Sequence, residues 1–190
     1  MKLKNKMDNK IIELVKNQSK IEPAALLAFI SVETGGNGFD KKTGKILIQF
    51  EPAWFKRQEP YAPSGIWSLN KVERQEKEWT AFNDAWKINP HAAMLSTSIG
   101  LGQIMGFNYR RIGYKSVDEM WDDAKKGIDR QLFQIIKFIE SDIKLISAIK
   151  AHDWDSIATL YNGASYKELA KKIGRESYDI SLKKAYESFI

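Results

Sequence analysis

The chain of 190 residues contains no cysteine. That excludes disulfide staples, a thiolate nucleophile and any cysteine-held zinc or iron–sulfur centre, and it leaves the redox compartment open. Histidine is nearly as scarce. With only His91 and His152 present, a multi-histidine metal cluster is excluded, and neither residue stands in a nucleophile motif such as G-x-S-x-G. Both read as ordinary surface or half-buried side chains, so no metal and no cofactor is expected. No apolar run approaches the roughly 20 residues of a membrane helix. The opening MKLKNKMDNK is basic but lacks the apolar stretch of about 7–15 residues that a secretory leader needs. Synthesis in the cytoplasm without a signal peptide, and no membrane insertion, are the expectations.

What is present suits a folded protein. Hydrophobic residues make up 43% and aromatics 12%, including six tryptophans, enough for one core, and residues 1–190 read as a single domain and a monomer. The net charge of +6 favours an acidic partner: nucleic acid, an anionic lipid surface or an anionic wall polymer. The lysines are scattered in pairs such as Lys41-Lys42 and Lys171-Lys172, with no dense basic helix or recognition motif, so a nucleic-acid partner is not expected.

The apolar period is mostly helical. Ile11, Ile12, Leu14 and Val15 mark a short helix over 8–18. Pro23 suits the first turn of a second helix, since its fixed φ and missing N–H do no harm there. That helix carries Leu26, Leu27, Phe29 and Ile30 and stops at Gly35-Gly36. The stretch FDKKTGKILIQFEPAWF (39–55) holds a turn-forming TG and a β-rich Ile46-Leu47-Ile48 bounded by Pro52, and predicts a small β-hairpin. Residues 56–70 read as loop and 72–86 as helix. Pro90 opens a helix through Leu95, which runs into the glycine-rich STSIGLGQIMG (96–106). Ser116 and Glu119 have capping-box spacing. Leu132, Ile135, Ile136, Ile139, Ile143, Ile146 and Ile149 recur at steps of three and four, a long core helix with Ser141-Asp142 as the place for a break. Asp153 caps a helix over 154–162, and 178–189 closes the chain as a helix. The fold class is therefore α+β, predominantly α, with one hairpin after the second helix.

Glu33 lies at the end of the second helix, at i+7 from Leu26 and i+3 from Ile30, so its carboxyl continues the apolar face. Burial disfavours its anion, and so does the negative end of the helix dipole. A glutamate held protonated near neutral pH suits general-acid chemistry. The plainer reading, a glutamate at a frayed helix end, stays open on these residues alone.

The breaks 33-ETGG-36, 98-SIGLGQIMG-106 and 160-LYNG-163 form an ordered set. A glutamate followed by Ser or Thr at a helix end, then G-L-x-Q-I, then Y-N, resembles the goose-type lysozyme and soluble lytic transglycosylase superfamily. More closely, VETGGNGF, ILIQFEPAWF, STSIGLGQIMGFNYRRIGY and DWDSIATLYNG resemble the N-acetylmuramidase family of phage endolysins, over about residues 10–189.

The resemblance implies a lysozyme-like fold and a cell-wall peptidoglycan substrate. It implies cleavage of the β-1,4 bond between N-acetylmuramic acid and N-acetylglucosamine, with Glu33 as general acid. Glu51, after the expected hairpin, is the candidate second carboxylate, with Asp40 in reserve; a strand-end charge beside Pro52 is the plainer reading of Glu51. Ser98 and Gln103 match substrate-contacting positions, Tyr161 and Asn162 match the Y-N pair, and Tyr109 is added as an aromatic contact. Gly100 and Gly102 beside them read as places where a sugar can approach backbone. No separate wall-binding domain is recognisable. An endolysin of this kind reaches the wall after a separate factor opens the membrane. Two other readings stand beside it: a lytic transglycosylase giving 1,6-anhydro products, and a non-catalytic wall-binding module.

Overall fold

The computed structural model describes residues 7–18, 20–59 and 74–190. In chain order its elements are α1 (Asn9–Gln18), α2 (Pro23–Thr34), β1 (Ile48–Phe50), α3 (Pro52–Gln58), α4 (Gln75–Ile88), α5 (Pro90–Leu95), β2 (Thr97–Ile99) and β3 (Ile104–Met105). After a 3-10 turn at Gly106–Asn108 come α6 (Val117–Ala124), α7 (Ile128–Glu140), α8 (Ile143–Ala151), α9 (Trp154–Tyr161), α10 (Tyr166–Lys172) and α11 (Tyr178–Glu187). The chain is α+β and predominantly α. It divides into two compact units, residues 1–36 with 136–190, and residues 37–135.

In the first unit, α2 starts at Pro23 as its first-turn proline implies. Every residue from Ala25 to Ile30 is buried, so the helix is apolar all round and has no solvent face in its middle, the pattern of a central core helix. α11 packs along it, with α9 against α11 and α8 against α9. Val15, Leu26, Ile30, Leu145, Ile157 and Leu182 form the fully buried centre. Gly35 ends α2 by turning left-handed (φ 61), and its N–H donates to the Ser31 carbonyl. The break between α7 and α8 falls at Ser141-Asp142, where the Asp142 carboxylate accepts from the N–H groups of Lys144 and Leu145. Asp153 caps α9 through the N–H of Ser156. His91 is exposed, whereas His152 stacks on Trp154 with its Nε2 2.7 Å from the Glu22 carboxylate.

The second unit holds a three-stranded antiparallel sheet in the order β1-β2-β3. Here the structure corrects the hairpin expected over 39–55. Its turn is present, with a single antiparallel bridge between Phe39 and Ile46. The strand beyond it leaves to pair with β2, Gln49 opposite Ser98. Pro52 does not end a strand so much as open a helix: it sits in the first turn of α3 with Glu51 at the N-cap, so residues 52–58 are helical where 56–70 were expected as loop. The rest of that expected loop, and residues 72–73 of the next expected helix, lie outside the described residues. The free edge of β1 is covered by α4. Gln75 accepts from the Ile48 N–H (2.9 Å) and donates to its carbonyl (2.8 Å), and the buried Glu78 carboxylate accepts from the Phe50 N–H (2.9 Å). Side chains thus supply what a fourth strand would, and the edge is closed to further pairing. α10 is a seven-residue helix that the periodicity does not single out.

Candidate functional site

Within the first unit, Glu33, Tyr161 and Tyr178 converge, brought there by the end of α2, the end of α9 and the start of α11. The Tyr178 hydroxyl donates to Glu33 Oε1. The Tyr161 ring packs 4.6 Å from Phe29, 5.3 Å from Phe138 and 6.3 Å from Tyr178, nearly parallel to the last. Through Tyr178 the half-buried carboxyl group joins this aromatic cluster. Burial pushes its pKa up to about 7, against a smaller opposing pull from the Tyr178 hydrogen bond that favours the anion. Both phenols are pushed well above their ordinary range, by burial first and by the Glu33 charge next, so they remain hydrogen-bond donors at any physiological pH. Asn162 follows Tyr161 as the exposed C-cap of α9.

Tyr178 has no place in the motif set read from the sequence, except as part of a closing helix that contains tyrosine. Its only sequence signal is its position at the first turn of that helix. Pairing with a residue 145 positions earlier is a product of the packing of α11 on α2.

The second unit gathers a different set. Ser98, 6% exposed, donates to Gln103 Oε1 (2.9 Å), and Gln103 Nε2 donates to the Gly100 carbonyl (2.8 Å). Gln103 has a positive φ of 47, a conformation that is uncommon outside glycine and carries strain unless neighbours hold it. Its two side-chain bonds and its N–H bond to Gly100 (3.2 Å) do that. On the neighbouring strand, Gln49 Nε2 donates to Glu51 Oε1 (2.9 Å), and Ser98 Oγ lies 3.4 Å from the Gln49 carbonyl. Glu51, Gln49, Ser98 and Gln103 are thus one hydrogen-bonded series across β1 and β2.

Gly100 does not open toward a ligand. It is left-handed (φ 67), and a Cβ there would lie 2.8 Å from the side chain of Gln131. The buried Gln131 amide takes the N–H of Leu101 (2.8 Å) and donates to the Ala124 carbonyl (3.0 Å). The missing side chain makes room for a structural tether.

Asp40 is engaged in its own turn. Its Oδ1 accepts from the Thr43 N–H and hydroxyl (2.8 Å each) and from the Lys42 N–H (3.2 Å). The Thr43 hydrogen bonds chiefly hold this carboxyl below its usual range. Tyr109 is half-buried after the 3-10 turn, with the Arg110 guanidinium 5.5 Å from its ring. Among the described residues, no group of three His, Cys, Asp or Glu side chains is placed to hold a metal ion, and no helix is long and apolar enough to cross a membrane.

The family model named Muramidase, described as N-acetylmuramidase, matches residues 22–190. The crystal structure of the Burkholderia AP3 phage endolysin is similar to this chain at a TM-score of 0.71 and 26% identity, over 95% of this chain and 68% of that one. No curated protein matches the sequence. From a family match that spans α2 to the end of α11, together with this structural likeness, the chain belongs to the N-acetylmuramidase family of peptidoglycan-cleaving enzymes.

Proposed function

We propose that the chain hydrolyses the β-1,4 bond between N-acetylmuramic acid and N-acetylglucosamine, with Glu33 as the general acid. The observation that carries this reading is the Glu33 carboxyl, hydrogen-bonded to Tyr178 and with its pKa raised by desolvation to about 7. An acid poised at the working pH is protonated often enough to act and strong enough to give its proton up. Tyr178 occupies Oε1, which leaves Oε2 as the oxygen that carries the proton. That proton passes to the glycosidic oxygen as its bond to the muramic acid anomeric carbon breaks. The leaving glucosamine departs as an alcohol, and positive charge develops on the muramic acid ring. Water then adds to that carbon and loses a proton, giving a free reducing muramic acid. Glu51 is proposed as the carboxylate that steadies the charge or takes the proton from water. Ser98, Gln103, Tyr109, Tyr161 and Asn162 are proposed to hold substrate.

The role proposed in nature is that of an endolysin, reaching peptidoglycan once a separate factor has opened the membrane. The likeness to a phage endolysin supports it.

Mass spectrometry of the soluble fragments released from purified peptidoglycan tests the chemistry, with Glu33→Gln as the blank. Fragments ending in reducing muramic acid are expected from the wild type and none from the variant. Ends lighter by one water, as 1,6-anhydro rings, mean a lytic transglycosylase instead. No fragments at all, with the protein retained on the wall, mean a binding module. Glu51→Gln is expected to impair hydrolysis strongly, and a near wild-type rate returns the second role to Asp40 or to no carboxylate.

A further inference from the structure

We propose that Trp54, Arg57 and Phe107 form an additional glycan-binding subsite, a stacking platform for sugar rings of the peptidoglycan strand; the proposal rests on the muramidase reading above.

The platform follows from how α3 and the 3-10 turn are held. Phe55 of α3 is fully buried and Pro52 is buried behind it, which anchors one face of this short helix. Trp54 and Arg57, at i and i+3, share a different face, and the Arg57 guanidinium lies 4.5 Å from the Trp54 ring centroid. The 3-10 turn is pinned on α5, since a Cβ at Gly106 would fall 2.0 Å from the Met94 carbonyl oxygen. With Gly106 fixed, Phe107 is turned outward. The Trp54 and Phe107 rings meet at 4.6 Å with 37° between their planes.

Phe50, Phe55, Phe82 and Trp121 of this unit are buried, and Trp86, 41% exposed, packs on the buried Phe82. Trp54 and Phe107 remain 37% and 38% exposed while touching each other. A single exposed aromatic needs no explanation, whereas two in contact present one joined apolar surface to solvent. The chemistry suits a saccharide. A pyranose ring offers an apolar C–H face to an aromatic ring and hydroxyls at its rim. N-acetylmuramic acid adds a lactyl group that carries a carboxylate or a peptide, whose carboxylates a guanidinium binds in fork geometry.

The platform is also continuous with residues already proposed for the site. The Trp54 N–H donates to the Glu51 carbonyl (3.0 Å), and the Tyr109 N–H donates to the Gly106 carbonyl (3.0 Å). Glu51 and Tyr109 therefore sit on the same two elements that present the rings, and Arg110 beside Tyr109 adds a second cation.

The test measures binding without turnover. Calorimetry of Glu33→Gln is run with purified, uncrosslinked glycan fragments of two to eight sugars, and repeated with Trp54→Ala, Phe107→Ala or Arg57→Gln added, each checked for fold by circular dichroism. The expected result is affinity that falls about tenfold on loss of either ring, the usual scale for a well-placed aromatic anchor, with the loss growing as the fragment lengthens. Unchanged affinity at every length overturns the subsite. An equal loss at every length, disaccharide included, also overturns it, because it places the effect elsewhere. Retention on phosphatidylglycerol vesicles that depends on Trp54, with no change in glycan affinity, overturns it in favour of a lipid surface. Failure of the parent reading is separate: it is seen as the absence of reducing ends from the wild type, whatever these variants bind.

Discussion

Two acids of this protein, Glu33 at the end of α2 and Asp123 in α6, meet opposite surroundings. Among the described residues Glu33 has one neutral donor, Tyr178, and desolvation takes its pKa up to about 7. Asp123, 6% exposed in the second unit, is also pushed upward by burial. It is nevertheless held below its usual range, because Arg130 binds it through Nε (2.9 Å) and a terminal nitrogen (2.8 Å), the Tyr114 hydroxyl at 2.6 Å, and Lys126 at 3.2 Å. Burial alone therefore does not decide the charge of a carboxyl group; the donors that accompany it do. Asp123 is a structural anion tying α6 to α7. Glu33 has no such cation beside it among the described residues, which suits the general-acid role proposed for it.

The largest effect that would break this contrast is on catalysis. Glu33→Gln keeps the shape and removes the proton, and a loss of about 10²-fold or more in peptidoglycan turnover is expected, the scale of general-acid catalysis. Retained turnover removes Glu33 from the role.

On the other side, Asp123→Asn leaves Arg130 and Lys126 without their anion. A loss of about 2–3 kcal/mol is expected by denaturant titration at pH 7, held to that size because Arg130 is partly solvated. Because the folded-state pKa of Asp123 is lowered, its stabilising contribution is present above the ordinary carboxyl range and lost as pH falls. The gap between variant and wild type should therefore narrow in acid.

Glu33 has the reverse sign. Its folded pKa of about 7 lies above the ordinary 4.5, so the native state is favoured below 4.5 and loses that advantage as pH rises through 7. Glu33→Gln is expected to be more stable than the wild type at pH 8 by on the order of 1–3 kcal/mol, and level with it at pH 4. Thermal melts at the two values check it, and equal melting gaps at both would mean that the carboxyl is solvated.

The smallest effect is the most specific. Tyr178→Phe removes the hydrogen bond that favours the Glu33 anion, so the Glu33 pKa rises further. The alkaline limb of the pH–rate profile, where the general acid loses its proton, should move to higher pH. A profile that drops in height without moving would make Tyr178 a packing residue only.

The starts of α2, α5, α6, α8 and α9 were legible because their signals are local. Pro23, Pro90, Ser116, Asp142 and Asp153 act within a few residues of themselves, through a fixed φ or a side chain that caps the next turn. Ser116 does accept from the Glu119 N–H, although the Glu119 carboxylate takes the N–H of Lys115. The strands were hidden for the converse reason. β1, β2 and β3 are two or three residues long, too short for an alternating pattern, and Ile48–Phe50 becomes a strand only because residues near 98 and the side chains of α4 lie beside it. Pro52 was ambiguous in the same way, since a proline that ends a strand and one that opens a helix look alike in sequence.

By itself, then, the sequence determined a mostly helical chain, the starts of those helices that a local cap or proline marks, and a glutamate at the end of an apolar helix within an ordered set of motifs. Tertiary structure alone decided that Tyr178 is the donor on Glu33 and that Gly100 makes room for Gln131. Each joins residues through the packing of separate elements, and the sign of a pKa shift depends on those neighbours rather than on the residue that titrates.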